Sequence, residues 1–322
     1  MKKILVKVAS IFTLGMLMFT SCNDDKKLTV SSILYDTKNE WFVEAMQGMK
    51  DAAKDLNITV NEFDCDYDES IEKNFINEQI KNKPSAIVVC PLTTKGTGEV
   101  LSEATKLGIP VVTWNTVVEP LPTAQIVVDS TKLGSATGEY LCEYVKAHNI
   151  TKLKAALIID RSFSIGIARC DGFRKSIQPL INEGILEVVN ETQGQMYEEI
   201  KVILKKILAE QPDINFIWCW HQMSTMATVD VLKELGRTDI LVTGTDMSLA
   251  LAEYLISDKV NLIAITTQQP YKMGYDAVTT AARAVNEFPA QKTIEIPVLT
   301  YTKENEAALK EYIDIHAKYV KK

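Results

Sequence analysis

Histidine is scarce in this sequence, and its cysteines follow no metal-binding pattern. Only His148, His221 and His316 occur, and no two of them stand at zinc-ligand spacing. Beyond Cys22 the cysteines are Cys65, Cys90, Cys142, Cys170 and Cys219, an odd number without a C-x-x-C pair, which argues against a disulfide framework. Cys90 and Cys219 end strongly apolar segments and read as small buried hydrophobes. A phosphate loop, a G-x-S-x-G elbow, an H-E-x-x-H helix and a G-x-G-x-x-G turn are all missing; Lys95-Gly96-Thr97-Gly98 is too short for a phosphate loop and lacks its Gly-Lys-Ser/Thr ending. These gaps predict neither an enzyme nor a metal or cofactor site. A basic excess is missing too: the net charge of −7 argues against nucleic-acid binding.

Long apolar runs are confined to the N-terminus. Lys2, Lys3 and Lys7 lead into Val8–Phe19, which is short for a bilayer span and closes on Thr20-Ser21-Cys22. That is the form of a cleaved export signal. Phe19-Thr20-Ser21-Cys22 resembles a lipobox, with Phe19 where Leu is usual. Residues 1–21 are therefore expected to be a signal peptide, Cys22 the lipidated first residue of the mature chain, and 22–27 a polar tether. The expected location is the periplasm or cell envelope, with membrane attachment through the lipid alone. The signal carries three lysines and no acid, so the mature chain is more acidic still. It also fills the space a DNA-binding helix-turn-helix would need before Leu28.

From Leu28 to Val320 short apolar runs alternate with amphipathic stretches of helical length, the pattern of βαβ units and parallel sheets. Strands are predicted at Val30–Leu34, Ile58–Phe63, Ala86–Val89, Val111–Thr113 and Gln125–Val128. A second series follows at Ala155–Ile159, Leu186–Val189, Phe216–Cys219, Leu241–Val242 and Leu262–Ile265, with a late strand at Ile294–Leu299. Gly108 and Pro110 close the helix before Val111, and Asp129-Ser130-Thr131 opens the next. No Gly/Ser-rich or Pro-rich linker separates the two series. The fold class expected is α/β, two doubly wound parallel-sheet lobes joined by a hinge, with ligand bound outside the carboxyl ends of the strands.

Those strand ends carry aromatic, amide, carboxylate and guanidinium groups. They are Lys38-Asn39-Glu40-Trp41-Phe42, Trp114-Asn115-Thr116, Trp218-Cys219-Trp220-His221-Gln222, Gly244-Thr245-Asp246 and Gln268-Gln269. A polyhydroxylated ligand needs flat apolar faces against its C–H surfaces and fixed hydrogen bonds to its hydroxyls, charge-assisted ones being the stronger. Of Trp218 and Trp220, one should pack against a helix; Trp220 is placed nearer the cleft.

Several local patterns resemble the periplasmic ribose-binding protein family, type I, in that family's order. They are Glu40-Trp41-Phe42-Val43, Gly108-Ile109-Pro110-Val111-Val112, Ile167-Ala168-Arg169-Cys170-Asp171-Gly172-Phe173, Thr243-Gly244-Thr245-Asp246, and Gln268-Gln269-Pro270-Tyr271-Lys272-Met273-Gly274. The resemblance implies a ligand site formed by Glu40, Trp41, Phe42, Cys90, Asn115, Arg169, Tyr197, Trp220, His221, Asp246 and Gln268. In it Trp41 and Phe42 stack on a sugar ring, with Tyr197 as the opposing aromatic. Asn115 stands where the family usually has Asp, His221 where it has Asn, and Cys90 where it has a polar residue. With Asn115-Thr116 in place of an Asp-Arg pair, ribose itself is not the expected ligand.

The resemblance further implies an N-terminal lobe of 28–128 plus 269–298 and a C-terminal lobe of 129–268 plus 299–322. It implies a monomer that closes on a monosaccharide or polyol and passes it to the permease of an ABC importer. The alternative is a receptor of the autoinducer-2 type, or a sugar sensor, signalling to a membrane sensor kinase.

Overall fold

The computed structural model describes residues 27–257, 259–287 and 292–320. The expected signal peptide, Cys22 and nearly all of the tether lie outside them. In chain order the elements are β1 Thr29–Leu34, α1 Glu40–Asp55, β2 Thr59–Asp64, α2 Glu69–Asn82, β3 Ala86–Val89, α3 Lys95–Lys106, β4 Val111–Trp114 and β5 Ala124–Val127. Then come α4 Ser130–Ala147, β6 Leu153–Ile159, α5 Ser164–Asn182, β7 Leu186–Gln193, α6 Tyr197–Glu210, β8 Phe216–Cys219, α7 Gln222–Leu235, β9 Leu241–Thr245, α8 Leu249–Ile256 and β10 Asn261–Thr267. The chain ends with α9 Pro270–Glu287, β11 Lys292–Glu295, β12 Leu299–Thr302 and α10 Glu306–Val320.

Two six-stranded sheets result, ordered β11-β5-β4-β3-β1-β2 and β12-β10-β9-β8-β6-β7. The first five strands of each series take the same 2-1-3-4-5 order, doubly wound and parallel. Such a sheet reverses its winding beside its first strand, and a crevice opens there at the carboxyl ends. Helices cover both faces, so the inner strands β3, β4, β8 and β9 are buried along their whole length. Ile33, Ile87 and Val89 face α2 and α3, whereas Val30, Leu34 and Val88 face α1 and α9. In the second sheet Trp218 faces α4 and α5, while Ile217 and Cys219 face α6 and α7. The five cysteines of the described residues are all free, and all but Cys142 are buried.

Two glycines of the family-like patterns owe their place to close helix contacts. A Cβ on Gly172 of α5 would collide with the carbonyl oxygen of Thr131 on α4, and one on Gly274 of α9 with that of Ala45 on α1. Each helix that opens beside the crevice is thereby held against a neighbour.

One predicted element is corrected. Ile294–Leu299 is not a single strand: β11 runs parallel to β5 in the first sheet, and β12 runs antiparallel to β10 in the second. Ile296-Pro297-Val298 lies between them, and Pro297 has no N–H to continue a ladder. The chain thus passes between the sheets three times, near Val128, near Gln268 and at Pro297. Lys95-Gly96-Thr97-Gly98 forms the first turn of α3, where the Thr97 hydroxyl donates to Glu72 Oε2 at 2.6 Å. No helix among the described residues is long and apolar enough to cross a membrane.

Candidate functional site

Strand ends of both sheets converge on a cavity of about 310 Å³. From the first sheet, Asn39 caps α1 by accepting the Trp41 N–H at 2.9 Å, which fixes the direction in which the next two rings leave the helix. Trp41 stacks on buried Trp114, with centroids 5.7 Å apart, and Phe42 meets Tyr35 edge-on at 4.8 Å. Tyr67 leans on Tyr35 and donates its hydroxyl to Asp36. Asn115 follows β4 at φ +67°, a left-handed conformation that asparagine tolerates better than most residues. Its amide nitrogen lies 3.5 Å from the Tyr35 hydroxyl and 3.8 Å from Cys90 Sγ.

The second sheet supplies the charge. Arg169, early in α5, and Asp246, after β9, are both nearly inaccessible and pair at 2.6 Å. Asp246 Oδ1 accepts from Gln268 Nε2 at 2.8 Å, and Arg169 Nη1 also reaches the Trp220 carbonyl at 3.1 Å. Arg169 Nε, buried, has no partner. Charge-assisted bonds of this kind fix both side chains while leaving the pair neutral as a unit.

Trp220 donates its indole N–H to the Gly194 carbonyl at 2.8 Å and packs between His221 and the edge of Phe163. His221 caps α7. Its Nδ1 faces Ser224 Oγ at 2.8 Å and its Nε2 the Gln195 carbonyl at 3.0 Å, so the carbonyl requires the proton on Nε2. Burial pushes its pKa down to about 4, and the ring is neutral at ordinary pH. With both nitrogens engaged inside its own lobe, it offers the cavity a ring surface rather than a polar hand.

Eight of the eleven predicted residues line this one cavity: Trp41, Phe42, Asn115, Arg169, Trp220, His221, Asp246 and Gln268. Three do not. Tyr197 opens α6 and donates its hydroxyl to Asp230 at 2.6 Å; the rings that the second sheet brings to the cavity are Phe163, Trp220 and His221. Cys90 is fully buried beneath Asn115, and burial pushes its thiol well up. Glu40 turns away and accepts the Leu249 N–H at 2.6 Å; burial raises its carboxyl above the usual range. Sequence reasoning missed Tyr35, Tyr67 and Phe163. Tyr35 follows β1 and Phe163 lies just after β6, so the strand-end rule applied to every strand would have found both. No cluster of His, Cys, Asp or Glu that could hold a metal occurs among the described residues.

A family profile described as the periplasmic binding protein domain matches residues 30–288. The ABC transporter periplasmic-binding protein YphF of Escherichia coli (strain K12) is 25% identical over 288 residues, 87% of each chain. The ribose import binding protein RbsB of Bacillus subtilis (strain 168) is 24% identical over 90% of this chain and 97% of its own length. Among solved structures, an ABC transporter periplasmic solute binding protein from Actinobacillus succinogenes 130z with bound D-allose superposes with a TM-score of 0.77 at 19% identity. That match covers 88% of this chain and all of the other.

Proposed function

The chain belongs to the periplasmic binding protein domain family, and from that premise we propose that it binds a neutral monosaccharide or related polyol between its lobes and delivers it to the permease of an ABC importer. The observation that carries this reading is the opposition of two chemistries across one cavity. Trp41 and Phe42 face it from the first sheet, and the Arg169–Asp246–Gln268 network from the second. Rings suit the C–H faces of a sugar, and the polar network suits its hydroxyls. Because Arg169 and Asp246 cancel and His221 is neutral, the pocket favours an uncharged ligand over a sugar phosphate or sugar acid.

Function follows from closure. A ligand touching both lobes lowers the free energy of the closed arrangement by its differential affinity, and the closed surface is what a membrane partner recognises. The moving bodies are 28–128 with 269–298 and 129–268 with 299–322, hinged at the three crossings. Delivery to a permease is preferred to signalling through a membrane kinase because both curated relatives are named for transport. Attachment to the membrane is through lipid on Cys22.

A thermal-shift screen of the purified protein against D-ribose, D-arabinose, D-allose, other hexoses, inositols and, as charged sugars, D-glucose 6-phosphate and D-galacturonate tests the reading, since binding to the folded state raises its melting temperature. A clear rise with one neutral sugar or polyol supports it. No rise with any of them, or a rise only with charged sugars, overturns it.

A further inference from the structure

Helix α1 does more than present Trp41 and Phe42 to the cavity. Glu40, its first residue, reaches across to the other sheet's helices and accepts the Leu249 N–H at the start of α8 at 2.6 Å. Glu44, one turn further on, is 4% exposed; its Oε1 lies 2.8 Å from His316 Nε2, and its Oε2 accepts from the Tyr312 hydroxyl at 3.2 Å, both on α10. Residues four apart share a helix face. One stripe of a first-sheet helix therefore grips two helices that pack on the second sheet. A separate cavity of about 760 Å³ runs along this seam, with Glu44, Gln269 and His316 in its wall.

The placement of the first contact is what gives it consequence. Glu40 immediately precedes the two aromatics of the cavity, and Leu249 comes three residues after Asp246. The bond thus ties together the two segments that face the cavity from opposite lobes, yet neither partner lines it. Opening the lobes would return the Leu249 N–H to water and strip the buried Glu44 carboxylate of its α10 partners. Removing partners from a buried charge is unfavourable.

We propose that Glu40 and Glu44 are positioning residues for ligand binding, a cross-lobe clasp that favours the closed arrangement without touching the ligand. The affinity of the cleft is then set in part outside it. Apparent affinity scales with the fraction of molecules able to close, so a tenfold loss of that fraction weakens binding about tenfold. The effect on affinity rests on the sugar-binding reading; the clasp itself does not.

The test is a double-mutant cycle on the intact protein, using Glu40→Ala, Leu249→Pro and the two together. Proline suits the first position of α8, and Ser248 before it is already extended, so Leu249→Pro removes the N–H while leaving the helix start intact. Small-angle scattering of the sugar-free protein and calorimetry with D-ribose, D-arabinose and D-allose give the readouts. Each single variant is expected to widen the molecule or to weaken binding about tenfold through faster dissociation, the double variant to do no more than the larger single, and Glu40→Gln to restore most of the loss. Unchanged dimensions together with unchanged affinity overturn the clasp, as do effects that simply add. Should none of the three sugars bind even the unaltered protein, scattering alone decides the clasp, and the sugar reading falls separately.

Discussion

Asn115 and Asp246 hold equivalent places in the two sheets. Each follows the fourth strand of its series, each is left-handed, at φ +67° and +64°, and each donates its N–H to the fifth strand, to Ile126 at 2.9 Å and Thr266 at 2.8 Å. Both side chains are thereby turned off the strand and into the same cavity. The chemistry they bring is unequal: a neutral amide from one lobe, a paired carboxylate from the other.

Replacing Asn115 separates conformation from recognition. Asn115→Gly should leave urea stability within about 1 kcal/mol, because glycine accepts this backbone, while sugar affinity falls. Asn115→Val should destabilise by about 1–2 kcal/mol, since a β-branched residue is strained at positive φ. Equal stability of the two variants in urea melts would contradict this account.

Asp246→Ala leaves Arg169 buried and unpaired, so a loss of about 3–5 kcal/mol in folding stability is expected beside the loss of binding. The pair Asp246→Asn with Arg169→Met, in which asparagine accepts the left-handed backbone at φ +64°, should recover much of that stability and little of the affinity. A double variant as unstable as the single would contradict the ion-pair explanation.

His221 supplies a pH signature. Its folded pKa near 4 lies below the ordinary 6.5, so between those values the unfolded chain binds the extra proton. The stability contributed by His221 is complete above pH 6.5 and is lost as pH falls toward 4, by at most about 1.4 kcal/mol per unit. Asn caps a helix at least as well. Urea melts at pH 7, 6 and 5 should therefore show the wild type losing stability relative to His221→Asn; parallel trends would rule the effect out.

Cys22→Ser should move the protein from the membrane fraction to the soluble fraction and leave its sugar affinity unchanged. Continued membrane attachment of that variant would reject lipidation.

What was legible in the sequence was local. Strand runs, the Gly108–Pro110 boundary, and the amide and carboxylate groups at strand ends depend on periodicity and cap chemistry that a few neighbouring residues determine. Trp218 and Trp220 share one face of their strand: Trp218 packs in the core, its indole N–H donating to Thr137 at 3.0 Å, and Trp220, past the strand's end, reaches the cavity. Tyr197 was misplaced because its partner, Asp230, lies on another helix and nothing near Tyr197 announces it. The resemblance implies Glu40 as a site residue, but its carboxylate is claimed by an N–H 209 residues away. The division of Ile294–Leu299 between two sheets was hidden for the same reason, since a strand's partners are long-range facts.

The chain's second crossing, near Gln268, bears on how the protein is made. Helix α9, which covers one face of β3 and β4, and β11, the edge strand beside β5, both follow every parallel strand of the second sheet in the sequence. During synthesis the first half therefore emerges with Val88, Val112 and Trp114 lacking part of their cover until about the last sixth of the chain has appeared. A ribosome cannot release a finished first lobe ahead of the second, and a chain truncated before Pro270 should be captured by chaperones rather than persist as a half-protein.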